Sequence, residues 1–372
     1  MDRRKFLGVA GTSVAVAAAA AYLASDRRNI TRTDLKDEGS PDITFQPGEK
    51  EILYLASLAP SGHNTQPWMV KYLEPYHWII GNDKTKWLPA ADPEQRETIL
   101  SIGAFIQNLE YAANSYGFAC EFKLLALSNQ DEDVMEVKLT KTTNLPSFDT
   151  DSIKYRRTVR SGFLTETIKK EHIDFLIRDA GDYFQFFPNH SRESVWLNEQ
   201  TIAANRQQAY RNSAQSELSN WMRFSGNEAR KYGDGLTTAS MEIGGITAWV
   251  IRNFYTKSDV MSTKFREQGI DKVRQQVACS GGWLLLSSQD HSVISLIETG
   301  KLLQRMLLKT REKSIAIHPM TQIIEETPFK NALCDFVGLP DTVQFILRVG
   351  YIRNYPKPVS LRRPPGKFVI HG

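Results

Sequence analysis

The chain has 372 residues, of which 41% are hydrophobic and 24% are charged. That composition suffices for one large core or two domains of ordinary size, and it excludes a largely disordered chain. The formal net charge is +4, and Met1–Ser25 supplies +2 of it, because Arg3, Arg4 and Lys5 outnumber Asp2. The remaining +2 is too small for a nucleic-acid-binding surface, so no nucleic-acid partner is expected.

The first 25 residues have the layout of an export signal. Asp2–Gly8 reads DRRKFLG, and Leu7–Ala24 is an apolar, alanine-rich stretch. This layout is typical of the twin-arginine route, and it predicts a periplasmic protein that the twin-arginine export machinery recognises. The stretch is also about long enough to cross a bilayer, which takes roughly 17–25 residues, so retention by an uncleaved anchor stays open. Residues 26–50 are polar and aperiodic, which predicts a linker or surface arm.

Two helical segments repeat along the chain. An amphipathic helix is predicted from Gly103 onward, and a related sequence begins at Gly300. Gln107 matches Gln304 at the same offset, 300 − 103 = 197. The match is short, but a repeat in this place predicts two related halves.

A second pair of segments shows where the halves differ in length. When Ile52–Trp68 is set against the segment that begins at Ile173, with the offset 173 − 52 = 121, the helix recurs but the polar loop does not. The offsets differ by 197 − 121 = 76, so the second half carries about that many extra residues, which we place within 190–274. The insertion is predicted to be helical, and its role stays open between a lid over a binding site and a brace between the halves. After it, 273–287 is predicted as a core helix and 344–351 as a strand.

A tight polar loop is predicted where Ala59–Trp68 reads APSGHNTQPW, between a helix and a strand near 69–73. Small residues let the backbone approach a flat ring closely, while Asn and Gln side chains offer both donors and acceptors to its edge. Proline and glycine also occur as ordinary punctuation of loops. The candidate binding residues of this loop are Pro60, Ser61, Gly62, Asn64 and Gln66.

A basic arm follows where Tyr155–Phe163 reads YRRTVRSGF. Arg156, Arg157, Thr158 and Arg160 place three guanidinium groups and one hydroxyl within five positions. Arginine forks match the geometry of phosphate oxygens, so the arm is a candidate phosphate site. A solvated basic turn is the alternative interpretation.

Together, the loop and the arm resemble motifs of the nitroreductase-like FMN-binding superfamily. In that family an R-R-S-x-R arm precedes an A-P-S-x-x-N-x-Q-P-W loop, whereas here the order is inverted and Thr158 replaces the serine. Such proteins are homodimers with a flavin at the subunit interface. The resemblance therefore implies an α+β, nitroreductase-like fold in which two fused halves form an intramolecular pseudo-dimer with a helical lid insertion. A long second-half insertion is most similar to the Acg-type branch.

The resemblance also nominates residues outside the two motifs. A basic residue of the C-terminal arm reaches the flavin phosphate in the family, which implies Arg362 and Arg363 in VSLRRPPGKF. The backbone after the second core helix approaches the reactive edge of the ring, which implies Pro319, Met320 and Thr321.

These expectations divide the chain into a signal at 1–25, an arm at 26–50, a first half at 51–150 and a second half at 151–372. We expect one FMN per chain in a monomeric pseudo-dimer that passes a hydride or electrons through FMN to a small organic acceptor. The alternative is a non-catalytic protein that stores or sequesters FMN.

Because the flavin carries the chemistry, no catalytic side chain is predicted. No metal-binding motif is present, and the three cysteines are expected to be buried thiols.

Overall fold

The computed structural model describes residues 25–26, 28–37, 39, 43–143, 145–146, 148–178, 180–338 and 342–372. The predicted export signal therefore lies almost entirely outside the described residues. Within those ranges, no helix combines the length and the apolar character needed to cross a membrane.

The first half pairs an antiparallel sheet with one long buried helix. Its elements are α1 (Glu49–Ala56), β1 (Trp68–Glu74), β2 (His77–Asn82), α2 (Arg96–Ser115), β3 (Phe118–Leu124) and β4 (Asp133–Lys141). The four strands lie in the order β3-β4-β2-β1. The apolar periodicity predicted from Gly103 onward is part of α2, whose residues from Thr98 to Leu109 are all buried.

The second half begins in the same way and is then interrupted. Its first elements are α3 (Asp151–Tyr155), α4 (Lys170–Ile177) and β5 (Phe184–Pro188). Six helices follow: α5 (Arg192–Tyr210), α6 (Asn212–Trp221), α7 (Gly226–Tyr232), α8 (Gly245–Phe254), α9 (Lys257–Val260) and α10 (Thr263–Val277). The chain then returns in β6 (Gly282–Ser287), which pairs antiparallel with β5. These helices thus connect β5 to β6, whereas a short turn connects the corresponding strands β1 and β2 in the first half.

The remaining elements complete a second sheet. They are α11 (Val293–Lys309), β7 (Ile315–Pro319), α12 (Gln322–Glu325), α13 (Thr327–Val337), β8 (Val343–Tyr351) and β9 (Val369–His371). The order β5-β6-β8-β7 is the order β1-β2-β4-β3 of the first half, strand for strand. The chain is therefore an α+β pseudo-dimer of two fused halves, as predicted. Strand β9 follows the second half along the chain and pairs in parallel with β1. The C-terminal end of the second half is therefore part of the first half's sheet.

Two sequence predictions near the second sheet had different outcomes. The strand predicted at 344–351 is confirmed by β8, which is buried at eight of its nine positions because it lies between β6 and β7. The core helix predicted at 273–287 is wrong: α10 ends at Val277, and Gly282–Ser287 is β6. A short apolar run such as Leu284–Leu286 fits a buried strand as well as a helix, and the preceding Gly281 separates the two elements.

Candidate functional site

Segments that are distant in sequence meet around one cavity of about 70 Å³. The loop after α1, the arm after α3 and the tail between β8 and β9 each contribute, because β9 brings the C-terminal tail across to β1. The lining residues are Arg32, Pro60, Ser61, His63, Asn64, Arg156, Arg157, Thr158, Arg160, Leu236, Ser240, Pro358, Ser360 and Arg362. Five of these side chains are guanidinium groups, and no carboxylate from the described part of the chain lines the cavity.

Arg156 and Arg362 are buried with incomplete hydrogen bonding. Arg156 donates to the Leu58 carbonyl at 3.1 Å. Arg362 donates to Asn64 Oδ1 at 2.5 Å and to the Ala59 carbonyl at 3.0 Å. Arg156 Nε and Nη1 and Arg362 Nε are buried and have no hydrogen-bond partner among the residues that the structure describes. Burial lowers the pKa of Arg156 to about 10. Unpaired buried cations are unfavourable, so this geometry favours binding of an anion.

Arg157 and Arg160 are held by the inserted segment. Arg157 forms a 2.8 Å ion pair with Glu242, and both side chains are mostly buried. Arg160 donates to the Ser240 carbonyl at 3.2 Å and to Nε2 of His318 at 2.8 Å. Burial, followed by the charge of Arg160, keeps the pKa of His318 well below its usual value, so the imidazole accepts as a neutral ring.

The loop between α1 and β1 carries unusual backbone strain. His63, Asn64 and Gln66 have positive φ angles of 48°, 57° and 57°. Left-handed backbone is uncommon for residues other than glycine, and such strain clusters at functional sites. The insertion supports this conformation, since Asn64 Nδ2 donates to the Gly235 carbonyl and Gln66 Nε2 donates to the Gly233 carbonyl, both at 3.0 Å.

The insertion contacts both halves of the pseudo-dimer. Lys86 of the first half pairs with the buried Asp234 at 2.7 Å. Arg211 pairs with Glu326 of the second half at 2.6 Å. The inserted helices therefore bridge the halves and also cover the strained loop.

His63 separates the arginine-lined cavity from a second cavity of about 110 Å³ beneath the inserted helices, and it lines both. Burial, with a smaller effect from Arg160, lowers the pKa of His63 to about 4, so the ring is neutral near pH 7. Either cavity admits a phosphate-sized group. Each cavity is smaller than the roughly 300–1,000 Å³ typical of small-molecule sites.

The structure places eight of the fourteen predicted binding residues in the cavity wall: Pro60, Ser61, Asn64, Arg156, Arg157, Thr158, Arg160 and Arg362. Ser61 Oγ accepts from the Gln66 N–H at 3.0 Å, which leaves its own hydrogen available for a ligand. The roles of these residues stay predictions.

The other six predicted residues lie outside that wall. Gln66 accepts from the Arg363 N–H at 2.8 Å, so these two side chains join the tail to the loop. Met320 is 1% exposed in a core cluster with Ile346, Thr321 donates to Glu325 at 2.5 Å, and Pro319 ends β7. Gly62 belongs to the loop but does not line the cavity, and a Cβ added to it would lie 3.1 Å from the Glu97 carboxylate.

Sequence reasoning missed several wall residues, of which Arg32 is the most informative. It lies on the arm that precedes α1 and donates to the Lys154 carbonyl. Leu236 and Ser240 come from the insertion, and Pro358 and Ser360 from the tail. These residues share no motif with the loop or the arm, so only the folded chain shows that they converge.

Among the residues described, no group of three or more His, Cys, Asp or Glu side chains could hold a metal ion. The expectation of three buried thiols is wrong, since Cys279 is exposed and Cys120 and Cys334 are only half-buried.

The chain has relatives that extend over most of its length, although no protein-family model matches it. It is 24% identical over 335 residues to a Mycobacterium tuberculosis protein that carries the name NAD(P)H nitroreductase Acg, covering 85% of this chain and 93% of that protein. It is 21% identical over 336 residues to a Serratia protein named NAD(P)H nitroreductase PigM, covering 86% and 92%. A solved nitroreductase-like protein from Bacillus cereus aligns with a TM-score of 0.34 and 11% identity over 62% of this chain and 100% of its own.

The fold is thus an α+β pseudo-dimer of two related halves, and the chain is similar over most of its length to proteins named as nitroreductases. The alignment with the Mycobacterium tuberculosis protein extends over both halves, which confirms the predicted resemblance to the Acg-type branch.

Proposed function

We propose that this chain binds one FMN in the arginine-lined cavity and its surroundings and acts as an oxidoreductase on a small organic acceptor. The observation that carries the proposal is the set of five guanidinium groups around one cavity, three of whose buried nitrogens have no partner among the described residues. A phosphate monoester supplies the charge and the oxygen acceptors that these nitrogens lack.

The phosphate end of FMN fits the residues present. Arg32, Arg156 and Arg362 would hold the phosphate, with hydroxyl donors from Ser61 and Thr158. The neighbouring 110 Å³ cavity would receive part of the ring after His63 moves. Bound FMN supplies hydride and electron transfer, so the protein's contribution is to bind, orient and exclude water.

The names of the relatives support a reaction of this class. Both relatives are named as NAD(P)H nitroreductases, and each aligns over more than four-fifths of this chain. We therefore infer a reduced nicotinamide or another reduced carrier as the electron donor and a nitroaromatic or quinone-like compound as the acceptor. We further propose export by the twin-arginine route, on the basis of the paired arginines and the apolar stretch in 1–25.

The test begins with the absorption spectrum of the purified protein and its flavin-to-chain ratio. We expect one FMN per chain, and a protein that neither contains flavin nor takes it up would exclude the proposal. Stopped-flow reduction and reoxidation follow, with NADH, NADPH and dithionite as donors and a nitroaromatic and a benzoquinone as acceptors. Flavin that binds but turns over with no pair of reagents would instead assign the chain to FMN sequestration.

A further inference from the structure

Two arginines of the arginine-lined cavity also line a second, larger space. Arg32 and Arg362 border a groove of about 610 Å³ between the N-terminal arm, α1 and the C-terminal tail, as well as the cavity of about 70 Å³. The groove has the volume of a small-molecule site, which is roughly 300–1,000 Å³. Arg362 is 5% exposed, and its Nε has no hydrogen-bond partner among the residues that the structure describes. An anion bound to these two arginines therefore lies beside the groove.

Three polar groups of the groove are also without hydrogen bonds. Within the described ranges, the Glu51 carboxylate and the hydroxyls of Tyr54 and Tyr116 have no hydrogen-bond or ion-pair partner. Glu51 and Tyr54 lie three positions apart on α1 and so share one face of that helix. The Tyr116 ring packs against Gly48, where an added Cβ would lie 2.9 Å from the ring. Aromatic rings stack on nucleobases, and carboxylates accept hydrogen bonds from ribose hydroxyls, so the groove suits a nucleoside.

The charges of the groove favour a neutral group over a further anion. Asp37 pairs with Lys50 at 3.0 Å, so these two charges offset each other. Glu51 adds a carboxylate that no described cation pairs with, and a carboxylate repels phosphate. The remaining positive charge lies on Arg32 and Arg362, which the groove shares with the cavity. A matching ligand has its phosphates at these two arginines and an uncharged nucleoside in the groove.

From these contacts, we propose that the groove is a subsite for the adenosine of flavin adenine dinucleotide, so that this chain binds FAD more tightly than FMN. FAD is FMN joined to adenosine monophosphate through a pyrophosphate, so the inference rests on the proposed function and keeps the FMN unit at the arginine-lined cavity. Arg32 and Arg362 would hold the linked phosphates. Tyr54 and Tyr116 would stack with the base, and Glu51 would accept from the ribose hydroxyls. FMN alone would leave these three groove side chains without a partner.

The experiment compares FAD with FMN on the flavin-free full chain by isothermal titration calorimetry. We expect FAD to bind about ten- to a hundredfold more tightly than FMN, the range that a hydrogen bond to a charged group contributes. FAD that binds no more tightly than FMN overturns the adenosine subsite and leaves the proposed function intact. A chain that binds neither flavin overturns both.

Two substitutions test the groove itself. Glu51→Gln and Tyr116→Ala should each weaken FAD binding by about tenfold and leave FMN binding unchanged. Tyr183→Ala is the matched control, because Tyr183 lies in the second half and is 38% exposed, against 39% for Tyr116. It should bind both flavins as the unaltered protein does, and thermal unfolding checks that all variants fold. Equal losses for FAD and FMN in the two groove variants would contradict the proposal.

ADP distinguishes FAD from a free nucleotide as the ligand of the groove. ADP carries the same nucleoside and diphosphate, so it should compete with both flavins for Arg32 and Arg362, with a lower affinity than FAD. Titration of ADP into the chain saturated with FMN measures this competition. If ADP binds without displacing FMN, the groove is a separate nucleotide site and the assignment to FAD is wrong.

Discussion

Gly103 of α2 and Gly300 of α11 are equivalent residues that meet at the crossing of the two helices. A Cβ added to Gly103 would lie 2.2 Å from the Ile297 carbonyl oxygen, and one added to Gly300 would lie 2.1 Å from the Leu100 carbonyl oxygen. The offsets are identical, 300 − 103 = 197 and 297 − 100 = 197. Each helix therefore presents the same patch to the other, which is the geometry of a two-fold dimer interface formed within one chain.

The polar contacts beside the glycines follow the same symmetry. Gln304 donates to Asn108 at 2.7 Å, and Arg305 donates to Gln107 at 2.6 Å. At the offset of 197, Gln304 corresponds to Gln107 and Arg305 corresponds to Asn108, since 304 − 107 = 197 and 305 − 108 = 197. The two contacts therefore join equivalent pairs of positions. The repeated sequence therefore forms both the helix of each half and the contact between the two helices.

Alanine at either glycine should destabilise the fold. Gly103→Ala or Gly300→Ala forces the two helix backbones apart, and we expect a loss in the free energy of unfolding of about 1–3 kcal/mol. Urea denaturation measures it. Gly269→Ala is the control, because Gly269 also lies inside a helix but has nothing within 4 Å of an added Cβ, and it should gain up to about 1 kcal/mol. Unchanged stability in the first two variants would contradict the close crossing.

Replacing Arg156 should weaken FMN binding. Arg156→Gln keeps a donor for the Leu58 carbonyl but removes the charge and the unpartnered nitrogens, so we expect a loss of about 1.5–3 kcal/mol in binding free energy. Fluorescence titration with FMN measures the effect. Arg206→Gln, which breaks an exposed pair with Glu267, should bind FMN as the unaltered protein does.

The arm before α1 should also contribute to binding, although no motif marks it. Arg32→Gln should weaken the binding of FMN and of inorganic phosphate, by about 1.5–3 kcal/mol for FMN. Arg28→Gln is a matched control on the same arm, because the Arg28 side chain is 72% exposed and pairs with Asp34 at 2.7 Å. If Arg32→Gln binds FMN and phosphate as well as Arg28→Gln does, Arg32 has no part in the site.

A glycine at position 63 should open the site. His63→Gly removes the ring between the two cavities and places glycine where φ is 48°. We expect faster FMN association in stopped-flow measurements and a stability that is unchanged or up to about 1 kcal/mol higher. His190→Gly has a comparable φ of 67° at an exposed position, so it should show the backbone effect without the faster association.

Glu97 should make stability fall as the pH rises. Burial, followed by the nearby Glu325 and Asp92, raises the pKa of Glu97 from 4.5 to about 8. Between these values the folded chain binds more protons at this position than the unfolded chain, so its contribution to stability is lost as the pH rises through that window. Glu97→Gln should therefore gain stability relative to the unaltered protein from pH 5 to pH 8 in urea denaturation. The exposed Glu94→Gln should keep the original slope.

The extent of prediction differed from segment to segment. Seven of the eight predicted residues in the cavity wall belong to the loop and the arm, which are local motifs whose spacing survives folding, and the eighth, Arg362, was implied by the family resemblance. Gln66 and Arg363 were predicted to bind the same ligand, yet they form a hydrogen bond with each other across 297 positions of sequence. Which of two polar partners a side chain selects depends on distance in the folded chain, and no local pattern encodes it. The approach of Glu242 to Arg157 is of the same kind.

The sequence by itself determined the two halves, the inverted order of loop and arm, and the strand-forming and helix-forming segments whose apolar spacing is regular. Those features depend on local periodicity and on fixed motif spacing. Only the tertiary structure decided that Gly103 and Gly300 share one crossing and that Arg32 joins the arginines. Such contacts depend on backbone approach and charge convergence between distant segments, which exist only after the chain has folded.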